Sequence, residues 1–411
     1  MYNTVFFIII AFFVLTFLFE QFLSWINQKN VKTSLPKELE GIYNAEEYKK
    51  QQAYFKTNEK FDLVKNVISF VVYLFILCFG LFGWLDGQIE SVIAMPILIT
   101  LTFFGILFVL SSIFDLPFDY YSTFTIEEKF GFNKSTKKIF WTDFIKSILM
   151  NIVLMEILLF LIAEAYQLTG NYFWLIAWGI MTAFSVFLNM FYSELIVPLF
   201  NKQTPLEDGS LKQKINDFCE KAGFVLKNVY VIDGSKRSTK ANAYFSGLGS
   251  KKRVVLYDTL INDLTEDEIV AVLAHEIGHY KKKHTLQNLI FSIANTGVIL
   301  FLMSLFLESE DLAIAMGAEH TSFHINMLAF MLLYTPISML LNILFNVNSR
   351  KNEYQADAFA ASFGLGEELI SALKKLSVKS LSNLQPASCY VFVYYSHPTL
   401  LQRIKAIKKN E

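Results

Sequence analysis

The chain has 411 residues, of which 54% are hydrophobic and 16% aromatic. This composition is typical of a protein that crosses a membrane several times. The formal net charge at pH 7 is −1, so bulk electrostatics give no basis for a nucleic-acid partner. The three cysteines, Cys78, Cys219 and Cys389, are too few and too scattered for a disulfide framework or a thiolate zinc site.

Seven apolar stretches approach or exceed the roughly 20 residues that a helix needs to cross a bilayer. They are predicted at 4–25, 64–85, 91–114, 144–166, 172–197, 286–307 and 324–347. Carboxylates within several of these spans are costly in lipid and are expected to face the protein interior or a water-filled cavity. For Glu20, Glu164 and Glu194, a position near a span end at the membrane interface fits equally well.

The distribution of Lys and Arg predicts the orientation in the membrane. Four segments contain neither residue: 1–4, 86–90, 167–171 and 308–323. The segments that alternate with them contain many: 26–63, 115–143, 198–285 and 348–411. Because basic loops stay in the cytoplasm, we expect the N-terminus outside and the C-terminus inside. The absence of a large terminal extension favours a bacterial inner membrane over the endoplasmic reticulum.

The sequence H-E-I-G-H at 275–279 is the most informative motif. Histidines at i and i+4 share one helix face and can bind one metal ion, and Glu276 can accept a proton from the attacking water. Thr265 and Glu268 have capping-box spacing, which predicts a helix over about 266–284. The motif is typical of zinc peptidases; an amphipathic helix with two exposed histidines is the alternative.

A catalytic zinc site needs a third protein ligand and an open position for water. Among the histidines and carboxylates that follow the motif, Glu353 and Asp357 stand out, because they are four residues apart on a predicted helix and share one face. One could bind the metal while the other accepts an N–H from a ligand histidine. The alternative is a solvated acidic face beside Arg350 and Lys351.

The segment between the fifth and sixth spans is predicted to be soluble. Its expected elements are a helix at 211–223 and strands at 229–232, 241–245 and 253–257. A short strand beside an active site can bind an extended peptide by edge pairing, which is a plausible role for Asn242, Ala243 and Tyr244. A purely structural hairpin fits the same pattern.

Several segments together resemble one family, the integral-membrane zinc CAAX prenyl proteases, also called type I CAAX endoproteases, which are gluzincin metallopeptidases. The matching segments extend over nearly the whole chain: 233–238, 242–245, 254–259, 275–279, 350–360, and 396–398 with Arg403. Seven predicted spans agree with that family as well. The combination is more specific than the zinc motif alone.

The resemblance implies a metal centre with one Zn²⁺ per chain. His275 and His279 would be two ligands and Glu353 the third. Glu276 would be the general base and proton carrier. The remaining coordination position would be open to the attacking water.

Other roles are implied by the same resemblance. Asp357 would orient a ligand or assist proton transfer, while His397 and Arg403 would line the site and help to stabilise the tetrahedral intermediate. Asn242 to Tyr244 would hold the peptide substrate. The implied fold is mainly α: seven transmembrane helices form a barrel around a water-filled chamber, with a cytoplasmic zinc-metallopeptidase domain that contains a small β-sheet.

We therefore expect four parts along the chain. These are transmembrane helices one to five with their cytoplasmic loops (1–197), the metallopeptidase segment with the zinc helix (198–285), transmembrane helices six and seven (286–347), and a cytoplasmic helical segment with the third ligand (348–411). The last part contains His397 and Arg403 as well as the third ligand.

The expected function is hydrolysis of peptide bonds near the C-terminus of prenylated CAAX-type proteins or peptides at the lipid bilayer. The alternative with the same chemistry is a membrane quality-control zinc protease acting on non-prenylated substrates. A transporter or chamber protein with a structural zinc site is disfavoured, because a structural site needs no base such as Glu276. The sequence predicts no particular oligomeric state.

Overall fold

The computed structural model describes residues 2–30, 35, 39, 41–226, 228–247 and 253–410. Within these residues the protein is mainly α-helical and contains one small sheet, which confirms the predicted fold class. The water-filled chamber implied by the family resemblance stays a prediction.

The N-terminal half consists of helices that are mostly long. In chain order they are α1 (Thr4–Lys29), α2 (Ala45–Cys78), α3 (Leu81–Glu90), α4 (Pro96–Tyr121), α5 (Glu128–Phe130), α6 (Lys137–Thr169), α7 (Phe173–Phe191) and α8 (Val197–Phe200). Three short turns connect some of them: π-helical turns at Ser122–Glu127 and Tyr192–Ile196, and a 3₁₀ turn at Gly170–Tyr172. The π turns continue α4 into α5 and α7 into α8.

The C-terminal half combines the sheet with the remaining helices. The strands are β1 (Gln203–Pro205), β2 (Val229–Ile232), β3 (Ala243–Ser246) and β4 (Arg253–Tyr257). The helices are α9 (Ser210–Lys221), α10 (Asp258–Asp263), α11 (Glu266–Lys281), α12 (His284–Ser304), α13 (Glu310–Ala315), α14 (Phe323–Ala361), α15 (Gly366–Lys379), α16 (Ser388–Tyr394) and α17 (Leu400–Asn410). A 3₁₀ turn at Gly234–Lys236 follows β2.

Seven helical segments of the described chain are long and apolar enough to cross a membrane. They are Thr4–Lys29, Ala45–Cys78, Pro96–Phe130, Lys137–Thr169, Phe173–Phe200, His284–Ser304 and Phe323–Ala361. Each predicted span overlaps one of them. The predicted second span, 64–85, is wrong at its C-terminal end, because the chain turns at Gly80 with φ 62° and starts the separate helix α3.

The outer surfaces of these helices are apolar. In the most apolar 18-residue stretch of α2, only 6% of the residues are buried within the protein. In the corresponding stretch of α1, 11% are buried. Large side chains such as Phe7, Leu15 and Phe22 are more than half exposed. Apolar surface of this extent needs lipid around it, so the chain is a multi-pass membrane protein.

Three of the four segments that lack Lys and Arg meet at one end of the helix bundle. Asn3, which caps α1, donates from Nδ2 to the carbonyl oxygen of Asp311 at 2.8 Å. His320 Nε2 lies 2.9 Å from Glu90 Oε1. The first, second and fourth of these segments therefore lie together, as the predicted orientation requires of segments on one side of the membrane.

The sheet has the order β1-β2-β4-β3, so β3 lies at an edge. Strands β2 and β4 are parallel, and the two outer strands pair with them in antiparallel register. Three strands were predicted, with β3 starting at Ala243 instead of 241. Strand β1 was not predicted, because its three residues carry no apolar alternation and end in Pro205, which only an edge position tolerates.

Ion pairs join the chain after β2 to the membrane helices. Arg237 donates from Nε and Nη2 to the two carboxylate oxygens of Asp143 on α6, at 2.7 and 2.9 Å. Lys240 Nζ donates to Glu127 at 2.8 Å. The Arg237 pair is bidentate and largely shielded from solvent, which makes it geometrically specific. These contacts place the sheet against the ends of the helices.

Helices α11 and α14 approach closely where both carry small residues. A Cβ added to Gly278 would lie 3.1 Å from the Cα of Ala356 and 3.1 Å from the Cβ of Phe359. Ala356 is fully buried. This close approach brings one face of α11 within side-chain reach of α14.

Candidate metal centre

Helix α11 carries the H-E-x-x-H motif and begins where its cap predicts. Thr265 Oγ1 accepts the N–H of Glu268 at 3.3 Å, and Glu268 Oε2 accepts the N–H of Thr265 at 2.8 Å. The helix ends at Lys281, three residues before the predicted end. Lys283, with φ 62°, then turns the chain between α11 and α12.

Two imidazoles from α11 and one carboxylate from α14 converge. The Nε2 atoms of His275 and His279 are 3.1 Å apart. Glu353 places Oε2 3.5 Å from the first and Oε1 3.2 Å from the second. Tetrahedral ligands about 2.1 Å from a zinc ion are separated by about 3.4 Å, so these spacings match one shared ion.

The environment of Glu353 also fits a cation. Its side chain is 4% exposed, and Oε2 is buried without a hydrogen-bond partner in the described structure. Arg403 Nη1 lies 3.6 Å from Oε2, so a positive charge faces this oxygen from beyond hydrogen-bond distance and its lone pairs are free to bind a metal ion. Two imidazole nitrogens and a carboxylate are a donor set that zinc prefers. Geometry and chemistry therefore both suit a divalent metal, as the resemblance implies.

The second nitrogen of His275 faces the other carboxylate of α14. His275 Nδ1 is 2.9 Å from Asp357 Oδ1, and Asp357 is fully buried. With its proton on Nδ1, His275 keeps the Nε2 lone pair for the metal.

Arg403 of α17 holds Asp357 from behind. It donates from Nε to Oδ2 at 2.9 Å and from Nη2 to Oδ1 at 2.5 Å. Burial acts to lower the pKa of Arg403, but the hydrogen bond to Asp357 and the charges of Glu353 and Glu276 raise it. Arg403 is therefore charged where it holds Asp357.

His397 lies at the exposed side of the centre. Its Nε2 is 3.3 Å from Glu353 Oε1, while its side chain is 63% exposed. Ser396 Oγ is 2.9 Å from its Nδ1. This contact completes one cluster of predicted residues from α11, α14 and the C-terminal segment: His275, His279, Glu353, Asp357, His397 and Arg403. Glu276 follows His275 directly on α11.

The sequence did not assign the partners of His279. Its Nδ1 lies 3.0 Å from Nδ1 of His284, and His284 Nε2 lies 3.0 Å from Gln355 Oε1. If His279 keeps Nε2 free for metal, its Nδ1–H donates to His284, which in turn donates to Gln355. A histidine five positions after the motif was the available signal, but only the turn at Lys283 brings it back.

Among the described residues, no strand pairs with the outer edge of β3, the predicted substrate strand. The N–H of Tyr257 donates to the carbonyl of Asn242 at 3.0 Å, which identifies this pair as hydrogen-bonded in the antiparallel ladder. Because such pairs alternate, the N–H and C=O of Ala243 and Phe245 point away from β4. The Phe245 ring packs 5.5 Å from Tyr280 of α11. The open edge therefore lies beside the helix of the motif.

Two family models match the chain. One describes the CAAX prenyl protease N-terminal region with five membrane helices and matches residues 24–202. The other describes peptidase family M48 and matches residues 205–411. The resemblance inferred from the motifs is confirmed by these matches.

Individual relatives are similar over nearly their full lengths. A CAAX prenyl protease 1 homolog of Oryza sativa subsp. japonica is 36% identical, with 97% of this chain and 96% of the relative aligned. CAAX prenyl protease 1 of Saccharomyces cerevisiae is 35% identical over 97% of this chain and 94% of its own. The crystal structure of S. mikatae Ste24p superposes with a TM-score of 0.92 at 34% identity, covering 98% and 99% of the two chains.

These relatives come from a plant and from yeasts. They therefore lend no support to the expected bacterial inner membrane. Their length and the TM-score do support the multi-pass arrangement of the whole chain.

Proposed function

Because the chain belongs to peptidase family M48 and has the N-terminal membrane region of CAAX prenyl proteases, we propose that it is a zinc endopeptidase acting on prenylated CAAX-type substrates. The observation that carries the proposal is the convergence of His275, His279 and Glu353. The printed names of the relatives support the substrate class.

Each residue of the cluster has a proposed task in hydrolysis. His275, His279 and Glu353 would hold a zinc ion, which would supply Lewis acidity for the scissile carbonyl and the attacking water. Glu276 takes a proton from the attacking water and delivers it to the leaving amine. Asp357 holds the His275 ring with Nε2 directed at the shared point between the ligands.

We assign different tasks to His397 and Arg403. Arg403 uses Nε and Nη2 on Asp357, so it acts by positioning that carboxylate and the His275 ring behind it. His397 is exposed and close to Glu353, so its N–H is available to the developing oxyanion. The family resemblance implied instead that both residues line the site and help to stabilise the tetrahedral intermediate.

The edge of β3 is the proposed binding site for the peptide backbone. Ala243 and Phe245 present outward backbone groups to a substrate strand, which would extend the sheet by one strand. Asn242 Oδ1 accepts the N–H of Ala243 at 2.8 Å, so this side chain has to turn away when substrate pairs there.

We propose that the metal centre faces the cytoplasm. Three of the four segments without Lys or Arg collect at the end where Asn3 meets Asp311. The metal ligands lie on α11 and on the part of α14 nearest the basic C-terminal segment. The positive-inside rule then assigns the catalytic end to the cytoplasmic side.

The decisive experiment uses purified protein and a pair of C-terminal peptides, one S-farnesylated and one not. We expect the wild type to bind one zinc per chain and to cleave the farnesylated peptide. Glu276→Gln should keep zinc, because Glu276 is not a ligand, yet lose about 10³-fold or more in kcat.

Glu310→Gln is the matched control, an exposed carboxylate on α13 far from the cluster. Normal cleavage by Glu276→Gln would contradict the assignment of the base. Preferred cleavage of unprenylated membrane proteins would instead favour the quality-control alternative.

A further inference from the structure

A cavity of about 750 Å³ lies between β3 and the adjoining ends of α6 and α7. We call it the α6–α7 cavity. Its walls include Met150, Leu188, Ile196, Phe200, Ile232 and Tyr244. Its size is within the range of sites that hold small organic ligands. The described residues of the metal cluster are not part of its wall, so it is a separate subsite.

The position of Tyr244 connects the cavity to the open edge of β3. Tyr244 belongs to the sheet face that packs on Val197 of α8 together with Ile232 and Val255. A peptide paired with β3 alternates its side chains between the same two faces. One set of substrate side chains therefore points towards α11, and the other enters the α6–α7 cavity.

The polar groups near Tyr244 already have partners. Its hydroxyl is 3.3 Å from Ser193 Oγ, to which Gln203 Nε2 donates at 3.2 Å. An apolar occupant would therefore leave this hydroxyl paired. The wall residues Tyr192 and Ile196 begin and end a π-helical turn, a deviation that is found mostly at functional sites.

A second cavity, of about 480 Å³, borders the cluster at His397 and Arg403. Both walls contain hydroxyl and amide groups, but the second wall also contains His397 and Arg403, whereas among the described residues no charged side chain and no histidine lines the α6–α7 cavity. An isoprenoid offers no ionic or hydrogen-bond partner to a guanidinium group. The α6–α7 cavity therefore suits an isoprenoid better than the second cavity does.

We propose that the α6–α7 cavity holds the isoprenoid group on the substrate cysteine while β3 holds the neighbouring backbone. This rests on the proposed function and names the part of the substrate that the site recognises. The helices that form two of its walls are membrane-spanning segments. A lipid-modified cysteine partitions to that depth, so the cavity meets the isoprenoid where it is concentrated.

Equilibrium binding tests the proposal without requiring turnover. In the zinc-loaded Glu276→Gln protein, competition assays give the Kd of S-farnesyl and S-methyl forms of one peptide. We expect Leu188→Trp, which fills the cavity, to raise the Kd of the S-farnesyl form about tenfold and that of the S-methyl form less than twofold. Leu195→Trp is the matched control, because Leu195 lies in the π turn that follows α7 and does not line the cavity.

An equal effect of Leu188→Trp on both peptides would overturn the proposal. A second measurement does not depend on that variant. A farnesylated peptide with a benzophenone at the isoprenoid end should crosslink to residues 147–150 or 188–200 of the otherwise unchanged Glu276→Gln protein. Crosslinks confined to 377–384 or to the lipid-facing side of α2 would overturn the assignment of the cavity.

Cleavage and crosslinking distinguish a wrong cavity from a wrong function. If the wild type cleaves the benzophenone peptide while the crosslinks lie elsewhere, the proposed function stands and the cavity assignment is wrong. If the wild type, loaded with zinc, cleaves neither farnesylated peptide, the proposed function itself is wrong.

Discussion

The Nδ1 atom of each ligand histidine has its own partner, and the two partners differ in charge. His275 faces the carboxylate of Asp357, which Arg403 holds with two hydrogen bonds. His279 faces the neutral ring of His284. Both arrangements direct Nε2 at the metal position, but the anionic partner makes the first imidazole the more basic ligand.

We predict that His284→Leu weakens zinc binding. The substitution leaves the Nδ1–H of His279 and Oε1 of Gln355 without partners in a site where His284 is 2% exposed. The expected loss of zinc affinity, measured by chelator competition, is about 10- to 100-fold. The d–d spectrum of the cobalt-substituted protein should change as well.

His284→Asn distinguishes positioning from simple packing. Its side-chain oxygen can accept from His279 near the place of the lost Nδ1, so zinc affinity should recover in part. His320→Leu, at the opposite end of the bundle, is the control and should leave zinc binding unchanged. Equal losses in the Leu and Asn variants would contradict the role.

At the scale of elements, the metal centre depends on the contact of α11 with α14. Gly278 stands inside the motif, and a Cβ there would be 3.1 Å from the backbone of Ala356. Such a contact requires a shift of a few tenths of an ångström, whereas a branched side chain requires the helices to separate.

We therefore predict that Gly278→Ala keeps most of the zinc affinity and that Gly278→Val loses it. Helix separation moves Glu353 away from the histidines of α11, because the ligands come from different helices. Zinc stoichiometry after purification is the measurement. Retained zinc in Gly278→Val would show that the helix contact does not set the ligand geometry.

The start of α11 carries a pH-dependent contribution to stability. Glu268 accepts hydrogen bonds from Thr265 N–H, from Ser371 Oγ at 2.6 Å and from Lys375 Nζ at 2.8 Å. Burial acts to raise the pKa of Glu268, but the hydrogen bonds to Lys375 and Ser371 outweigh it and lower it. The charged form is therefore favoured in the folded state.

Glu268→Gln should destabilise the protein by about 1–3 kcal/mol at pH 7. Since the folded pKa lies below the unfolded value of about 4.3, this contribution is present above that value and is lost as the pH falls through the folded pKa. Thermal unfolding in detergent should show the Tm difference shrinking only below about pH 4.3. A constant difference at every pH would contradict the ionic origin, and Glu310→Gln is the control.

For the whole molecule, the native cysteines offer a test of orientation. Cys389 is exposed at the catalytic end, while burial raises the pKa of Cys219 to about 11. Ser91 is exposed at the opposite end. The matched reporter is therefore the Ser91→Cys variant, in a protein whose Cys78 and Cys389 have been changed to Ser.

A membrane-impermeant maleimide should label the Ser91→Cys protein from outside intact cells. It should reach Cys389 only after the membrane is opened, and Cys219 only after unfolding, because a buried neutral thiol reacts slowly. The reverse pattern for the first two reporters would contradict the proposed topology.

Local features of the sequence were sufficient to predict the helices and part of the candidate metal centre. The apolar runs predicted all seven spans, because length and hydropathy act within one segment. The cap at Thr265 predicted the start of α11, and the i, i+4 spacing placed two imidazoles on one face. The predicted end of the second span was wrong, because the left-handed turn at Gly80 does not change the hydropathy of the sequence.

The amino-acid sequence by itself determined the apolar spans, the start of the metal helix and the pair of histidines, since each depends on residues a few positions apart. Only the tertiary structure decided which carboxylate completes the cluster, that His284 and Gln355 support His279, and that β3 is an edge strand beside a cavity. Glu353 is 74 positions from the second histidine, and no local spacing rule reaches across that distance. The close packing of α11 against α14 joins them, and packing between distant segments is a property of the folded chain.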